Sequence, residues 1–230
     1  MKTILVAGGA GEVGEGIVKQ LLSRGHRVLV QSRSADKIDS LKQRLGNPEN
    51  LHLVVGEIGS ESQIADLKEA VKSSGFELDS VVASIGSWWS GPKLIDLDLT
   101  TFNDVMAERL TTHFLVAKAF LSDLQDRPGS SYVFIHGASG FIPIPNSGPV
   151  SIAGAAQVML KNVFVKELEG KQVRINLLSM MSSIATRSHP NADTEALTST
   201  DVGDYVGVLV ERAEISGQTI KFTHRREIPS

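Results

Sequence analysis

Thr3-Ile4-Leu5-Val6-Ala7-Gly8-Gly9-Ala10-Gly11-Glu12-Val13-Gly14 lies at the start of the chain. A short run that is apolar on both faces has the pattern of a strand covered by helices on either side. It passes directly into glycines at 8, 11 and 14, and an amphipathic stretch over 13–23 follows at once. Glycine permits the tight strand-to-helix turn and a close approach of backbone to a bound group. The helix N-terminus adds free N–H donors and the positive end of its dipole. This is the context a dinucleotide pyrophosphate requires, and it makes Gly8, Gly11, Glu12, Val13 and Gly14 candidate contacts.

The same alternation continues to the end. Strand-like runs fall at 3–7, 27–31, 51–55, 80–83, 132–136, 174–178 and 219–222, with helical patterns at 13–23, 35–45, 60–73, 100–124, 150–169 and 201–212. Gly25, Gly46, Gly75 and Gly170 close four of the helices. Strand–helix alternation of this kind predicts a doubly wound α/β fold with a seven-stranded parallel sheet and helices on both faces. Residues 1–230 read as a single domain, without repeats or linkers. The segment 179–200, rich in Ser, Thr, Ala, Asn and Pro, leaves the sixth strand at the edge where ligands bind. It is read either as a cap over the substrate pocket or as a passive surface loop.

Composition narrows the classes. Of 230 residues, 41% are hydrophobic and 21% charged, a balance that supports a sizeable core. A net charge of −3 gives no bulk attraction to nucleic acid or anionic membrane. There are no cysteines, so disulfides and thiolate chemistry are excluded. With no signal-peptide pattern and no apolar run of membrane-spanning length, a cytoplasmic protein is expected. His26, His52, His189 and His224 lack metal-ligand spacing, so no metal site is expected. The basic run His224-Arg225-Arg226 reads as a solvated, disordered tail.

The end of the second strand refines the cofactor. An acid there would bond a ribose 2′-hydroxyl, but the chain has Gln31-Ser32-Arg33-Ser34. Arg33 can hold a 2′-phosphate in its planar fork and Ser32 can add a hydroxyl bond, so NADP(H) is the expected cofactor.

These residues, with Gly56-Glu57-Ile58-Gly59, Ala83-Ser84-Ile85-Gly86, Phe102-Asn103-Asp104-Val105-Met106, Arg174-Ile175-Asn176 and Ser216-Gly217-Gln218, resemble the short-chain dehydrogenase/reductase family across nearly the whole chain. The resemblance implies a Rossmann-type fold, with adenine flanked by Glu57 and Ile58 and further cofactor contacts at Ser84 and Gly86. It also implies a homodimer or homotetramer built from helices 100–124 and 150–169, where Gly154, Ala155 and Ala156 would permit close packing. The family's tetrad is what the match lacks. In its frame the catalytic tyrosine position holds Val150, the lysine position Gly154, the serine position Gly137 and the asparagine position Arg109.

Other groups then become candidates. Arg109 and His113 stand four apart on one predicted helix face, so both could point at a ligand, although a structural or interface role for His113 is favoured. His136, ending the fifth strand, has an ordinary pKa near working pH and is the placed catalytic candidate beside Arg109. Trp88, Trp89, Ser139, Ser151 and Met180 are expected to line a substrate pocket. Tyr132 and Tyr205 lie too far away to replace the missing tyrosine. The reading is an atypical NADP(H)-binding oxidoreductase or related cofactor-pocket enzyme acting on a small molecule. A non-catalytic NADP(H)-sensing or scaffold protein, and an isomerase or cyclase in the same pocket, stay open.

Overall fold

A computed structural model describes residues 1–190 and 196–229. Nine strands occur among them: β1 (Thr3–Ala7), β2 (Arg27–Ser32), β3 (Leu51–Val55), β4 (Ser80–Ala83), β5 (Ser131–Gly137), β6 (Arg174–Met180), β7 (Ile184–Ala185), β8 (Leu197–Thr198) and β9 (Thr219–Phe222). Seven form one sheet in the order β3-β2-β1-β4-β5-β6-β9, with every pair parallel. The order reverses between β1 and β4, and the crevice of such a sheet opens at the carboxyl ends of those strands. The seven-stranded doubly wound expectation therefore holds.

The helices are α1 (Glu12–Ser23), α2 (Ala35–Arg44), α3 (Glu61–Ser73), α4 (Leu99–Met106), α5 (Thr112–Leu124), α6 (Gly148–Glu167) and α7 (Ser199–Glu211). Alternation along each strand sends successive side chains to opposite layers. Ile4 and Val6 of β1 join Ile17, Leu21, Val206 and Leu209 from α1 and α7. Leu5 and Ala7 join Leu67, Val116 and Phe120 from α3 and α5 on the other face. The layer of α1 and α7 closes through glycine: a Cβ at Gly203 would lie 2.4 Å from the Gly16 carbonyl oxygen. Buried Arg174 donates from Nη1 to the carbonyls of Leu209 and Arg212, each at 2.7 Å, placing a cation at the negative end of α7.

Side chains cap most helix starts. Ser34, Ser60 and Asp98 accept the first-turn N–H of Lys37, Gln63 and Thr101, and Thr198 and Asp201 form a reciprocal capping box on α7. Helices α1, α5 and α6 have no such side-chain cap, and in α1 the N-cap is Gly11, which has no side chain to offer. The amide donors of α1 are left for another partner.

Three features differ from expectation. The helix expected over 100–124 is broken by a π-helical turn, Ala107–Thr111, containing Arg109. Within the segment 179–200, β7 and β8 pair in parallel, a local link that periodicity does not reveal; residues 191–195 lie outside the described part. The basic tail is exposed but turned into a 3₁₀ segment, Arg225–Glu227, because Glu227 accepts from the Thr223 N–H and hydroxyl at 2.9 and 2.8 Å. No helix among the described residues is long and apolar enough to cross a membrane.

Candidate functional site

At the carboxyl ends of β4, β5 and β6 lies a cavity of about 590 Å³. Val13, Ser84, Gly86, Trp88, Arg109, His136, Ser139, Gln157 and Met180 help to line it. A second hollow, about 530 Å³, sits between α3 and α5. On its rim Lys68 pairs with Asp123 and Arg127 with Glu77, and it lies away from the carboxyl ends of the strands where the glycine-rich turn sits. We take the first cavity as the functional site.

The glycine-rich turn is held from below. Gly8 has φ +74, and a Cβ there would stand 2.2 Å from the Ser84 carbonyl oxygen, so the turn packs backbone against backbone on the end of β4. Buried Gln31 braces it: its Oε1 accepts the Gly8 N–H at 3.0 Å and its Nε2 donates to the Gly56 carbonyl at 2.6 Å. Gln31 was not among the expected site residues, although a glutamine ending a run of valine and leucine is a visible signal.

Arg33 is exposed at the end of β2 with no bonded partner among the described residues, while buried Ser32 accepts the Ser34 N–H at 3.3 Å. No acid stands on this stretch, so the donors fit a 2′-phosphate. Glu57 is exposed and accepts from Gln63 at 2.8 Å, and Ile58 packs against the core. Glu12 fits an anion less well. Its carboxylate sits in the first turn of α1 and accepts hydroxyl bonds from Thr186 and Ser188, with Arg187 at 3.5 Å. The bonds from Ser188 and Thr186 hold its pKa below the ordinary value.

The π turn separates Arg109 from His113. A wider turn breaks the alignment of residues four apart. Arg109 lines the cavity, with Gln157 donating to its carbonyl at 2.8 Å and Thr112 serving the Glu108 carbonyl. Gln157 is a second site residue missed from sequence, since a glutamine in a helix carries no signature. His113 is fully buried inside the subunit, with Nε2 3.3 Å from the Ile85 carbonyl and its ring stacked on Phe134. Of the roles open to it, burial supports the structural one: the side chain reaches neither a shared ligand with Arg109 nor the surface.

His136 does reach the cavity, but not as a group near neutrality. Burial first, and the Arg109 charge second, push its pKa down to about 4. Its Nδ1 lies 3.5 Å from the Ser179 hydroxyl and Nε2 has no partner. The reason is local. The backbones of Gly140 and Gly154 meet beneath the ring: a Cβ at Gly154 would lie 2.5 Å from His136 Nε2 and 2.9 Å from the Gly140 nitrogen. Gly154 thus serves a contact within the subunit, which corrects its expected place in a subunit interface.

Of the two tryptophans, exposed Trp88 edges the cavity, while Trp89 folds back over Gly91 and does not line it. Ser139 and Met180 line it as expected. Ser151 does not; its hydroxyl accepts the Ile144 N–H at 3.2 Å and holds the preceding turn. Tyr132 is buried in the sheet and Tyr205 packs edge-on against Phe222, both outside the cavity. No group of three or more His, Asp or Glu among the described residues could hold a metal.

Comparison with known proteins gives the class. The model of the short-chain dehydrogenase family matches residues 2–194. The chain belongs to the short-chain dehydrogenase/reductase family. It is similar to the rat (Rattus norvegicus) dehydrogenase/reductase SDR family member 4, 25% identical over 179 residues, covering 77% of this chain and 64% of that protein. It therefore spans somewhat under two thirds of that relative's length. Among solved structures, ElxO with NADP bound superposes with a TM-score of 0.86 at 20% identity, covering 97% of this chain and 98% of the other. A short-chain oxidoreductase of Pseudomonas aeruginosa PAO1, described as containing an atypical catalytic centre, gives 0.84 at 17% identity over 96% and 95%. At these identities the structures establish the fold.

Proposed function

We propose that this chain is an NADP(H)-binding oxidoreductase of its family that works on a small organic molecule without the family's tyrosine and lysine. One observation carries the reading: Arg109 and His136 are the only ionisable side chains among the described residues lining the cavity. Arg33 and Ser32 would hold the 2′-phosphate, and the open first turn of α1 would face the pyrophosphate. Gly8, Gly11, Val13 and Gly14 would shape that turn, with Ser84 and Gly86 beside the nicotinamide half and Glu57 and Ile58 beside adenine. Bound NADPH supplies a hydride. The described residues lining the cavity supply no strong proton donor, since Arg109 stays protonated and His136 is neutral at pH 7. A substrate whose reduction needs none, such as an activated alkene or imine protonated by water, suits the site.

A panel of simple ketones and secondary alcohols with NADP(H), assayed across pH, tests this. No turnover is expected, because alkoxide charge must be neutralised as it forms, and losing a positioned acid costs ~10²–10⁴ in rate. Robust turnover that survives His136→Ala would overturn the reading.

A second reading, an NADP(H)-sensing protein, is favoured by Glu12. A pyrophosphate approaching α1 meets that carboxylate and the Thr186 and Ser188 hydroxyls bound to it. Cofactor binding would then release residues 184–189, giving a ligand-dependent rearrangement. Self-association through α5 and α6 is proposed alongside either reading, because Ile152, Met159 and Val163 form one exposed apolar stripe on α6 and Phe114 is exposed on α5.

A further inference from the structure

Among the described residues Arg109 forms no ion pair. Its guanidinium has no hydrogen-bond partner among them, and two of its nitrogens, Nε and Nη2, are shielded from solvent. Nη1 runs beside Gly86, where a Cβ would come within 3.4 Å. The adjacent Glu108 is exposed, accepts from the Ser87 hydroxyl at 3.3 Å and acts on Arg109 only as a charge at a distance, forming no ion pair with it. An unpaired, half-buried charge is costly and usually marks a place where a partner binds. The cavity walls around it include the apolar Trp88, Ile144, Val150 and Met180 beside several serines and Gln157, and among the described residues the only other titratable side chain lining it is His136.

We propose that Arg109 is the anchor for a carboxylate on the substrate, whose apolar body lies against Trp88, Ile144 and Val150. The class follows from the group: a planar guanidinium fork matches a planar carboxylate through two parallel charge-assisted bonds. The π turn gives Arg109 its place. It lifts the residue out of register with His113 and fixes the turn through Gln157, so the cation faces the cavity rather than the core. This inference rests on the cavity being the substrate site, but not on which cofactor fills the rest of the crevice.

Calorimetric titration of the full chain with benzoate, its neutral isostere benzamide and inorganic phosphate tests it. Benzoate should bind at least about tenfold more tightly than benzamide, the weight of one charge-assisted pair. Arg109→Met should erase that preference without lowering the thermal midpoint, because it removes an uncompensated cation; Arg109→Lys should keep only part of it. Equal affinity of benzoate and benzamide, a preference that survives Arg109→Met, tighter binding of phosphate than benzoate, or no binding of benzoate would each overturn the assignment. If Arg109→Met does not fold, the wild-type ratio and Arg109→Lys still decide. A separate NADPH titration of the same samples distinguishes the two proposals: lost cofactor binding with the benzoate preference intact defeats only the cofactor reading.

Discussion

Single residues set the electrostatics of the crevice. Arg33 is an exposed guanidinium, unpartnered among the described residues, where an NAD site would carry an acid, while Glu12 sets a carboxylate where a pyrophosphate would lie. Calorimetry should therefore give NADPH at least about tenfold tighter binding than NADH, a difference that Arg33→Ala removes. Glu12→Gln should tighten both by a similar factor, since it removes like-charge repulsion common to the two. Equal affinities in the wild type would refute the role of Arg33. The buried histidines make a different prediction. Burial holds His113 and His136 at about 4, below the ordinary 6.5. The unfolded chain then binds protons more readily than the folded one between those values. Their contribution is fully present above pH 6.5 and is lost as pH falls toward 4. From pH 7 to pH 5 the cost is about 2 kcal/mol per histidine. Denaturant titrations at the two pH values should show it, and His113→Gln with His136→Gln should flatten the slope.

At the scale of elements, backbone contacts through glycine position both halves of the site. Gly140 and Gly154 bring the loop after β5 onto α6, and Gly16 and Gly203 bring α1 onto α7. In the second pair the obstructing atoms are backbone, so no rotamer change makes room. Gly203→Ala should lower stability by about 1–3 kcal/mol, the usual cost of overpacking, as measured by chemical denaturation. An unchanged midpoint would mean that α1 and α7 separate easily. The π turn is the other element-level device. Its carbonyls are served by Gln157 and Thr112, and its wider pitch explains why two residues spaced for one helix face serve different surroundings.

The whole molecule has a parallel sheet whose order reverses between β1 and β4, an open crevice at that point, and an apolar stripe left on its outer helices. Met159 is 61% exposed and Val163 42%, on a helix whose inner face is already packed. Covering that stripe with a second copy's would bury it in the symmetric manner of most homo-oligomers. Light scattering should find a dimer or tetramer, and Met159→Glu should shift it toward monomer with little loss of thermal stability. A wild-type chain that is monomeric at every concentration would refute this assembly.

The fold was legible in the sequence because its signals are local. Runs such as Ile4–Ala7 repeat between amphipathic stretches, and a glycine-rich turn has one structural use directly after a buried strand. Gly8, the end of β2 and the order of elements needed nothing more. Sequence also showed which residue types were available at the crevice, including Val150 and Gly154. Spacing could not tell where side chains point once a helix leaves its regular pitch, so it left open whether His113 shares a ligand with Arg109 or serves the structure. It could not separate Trp88 from Trp89, or assign Ser151 to a turn. Nor could it show that His136 is neutral or that Arg109 lacks a partner. Those properties depend on what the rest of the chain packs around each group: burial sets the cost of charge, and contacts between residues far apart in sequence decide which charges are answered.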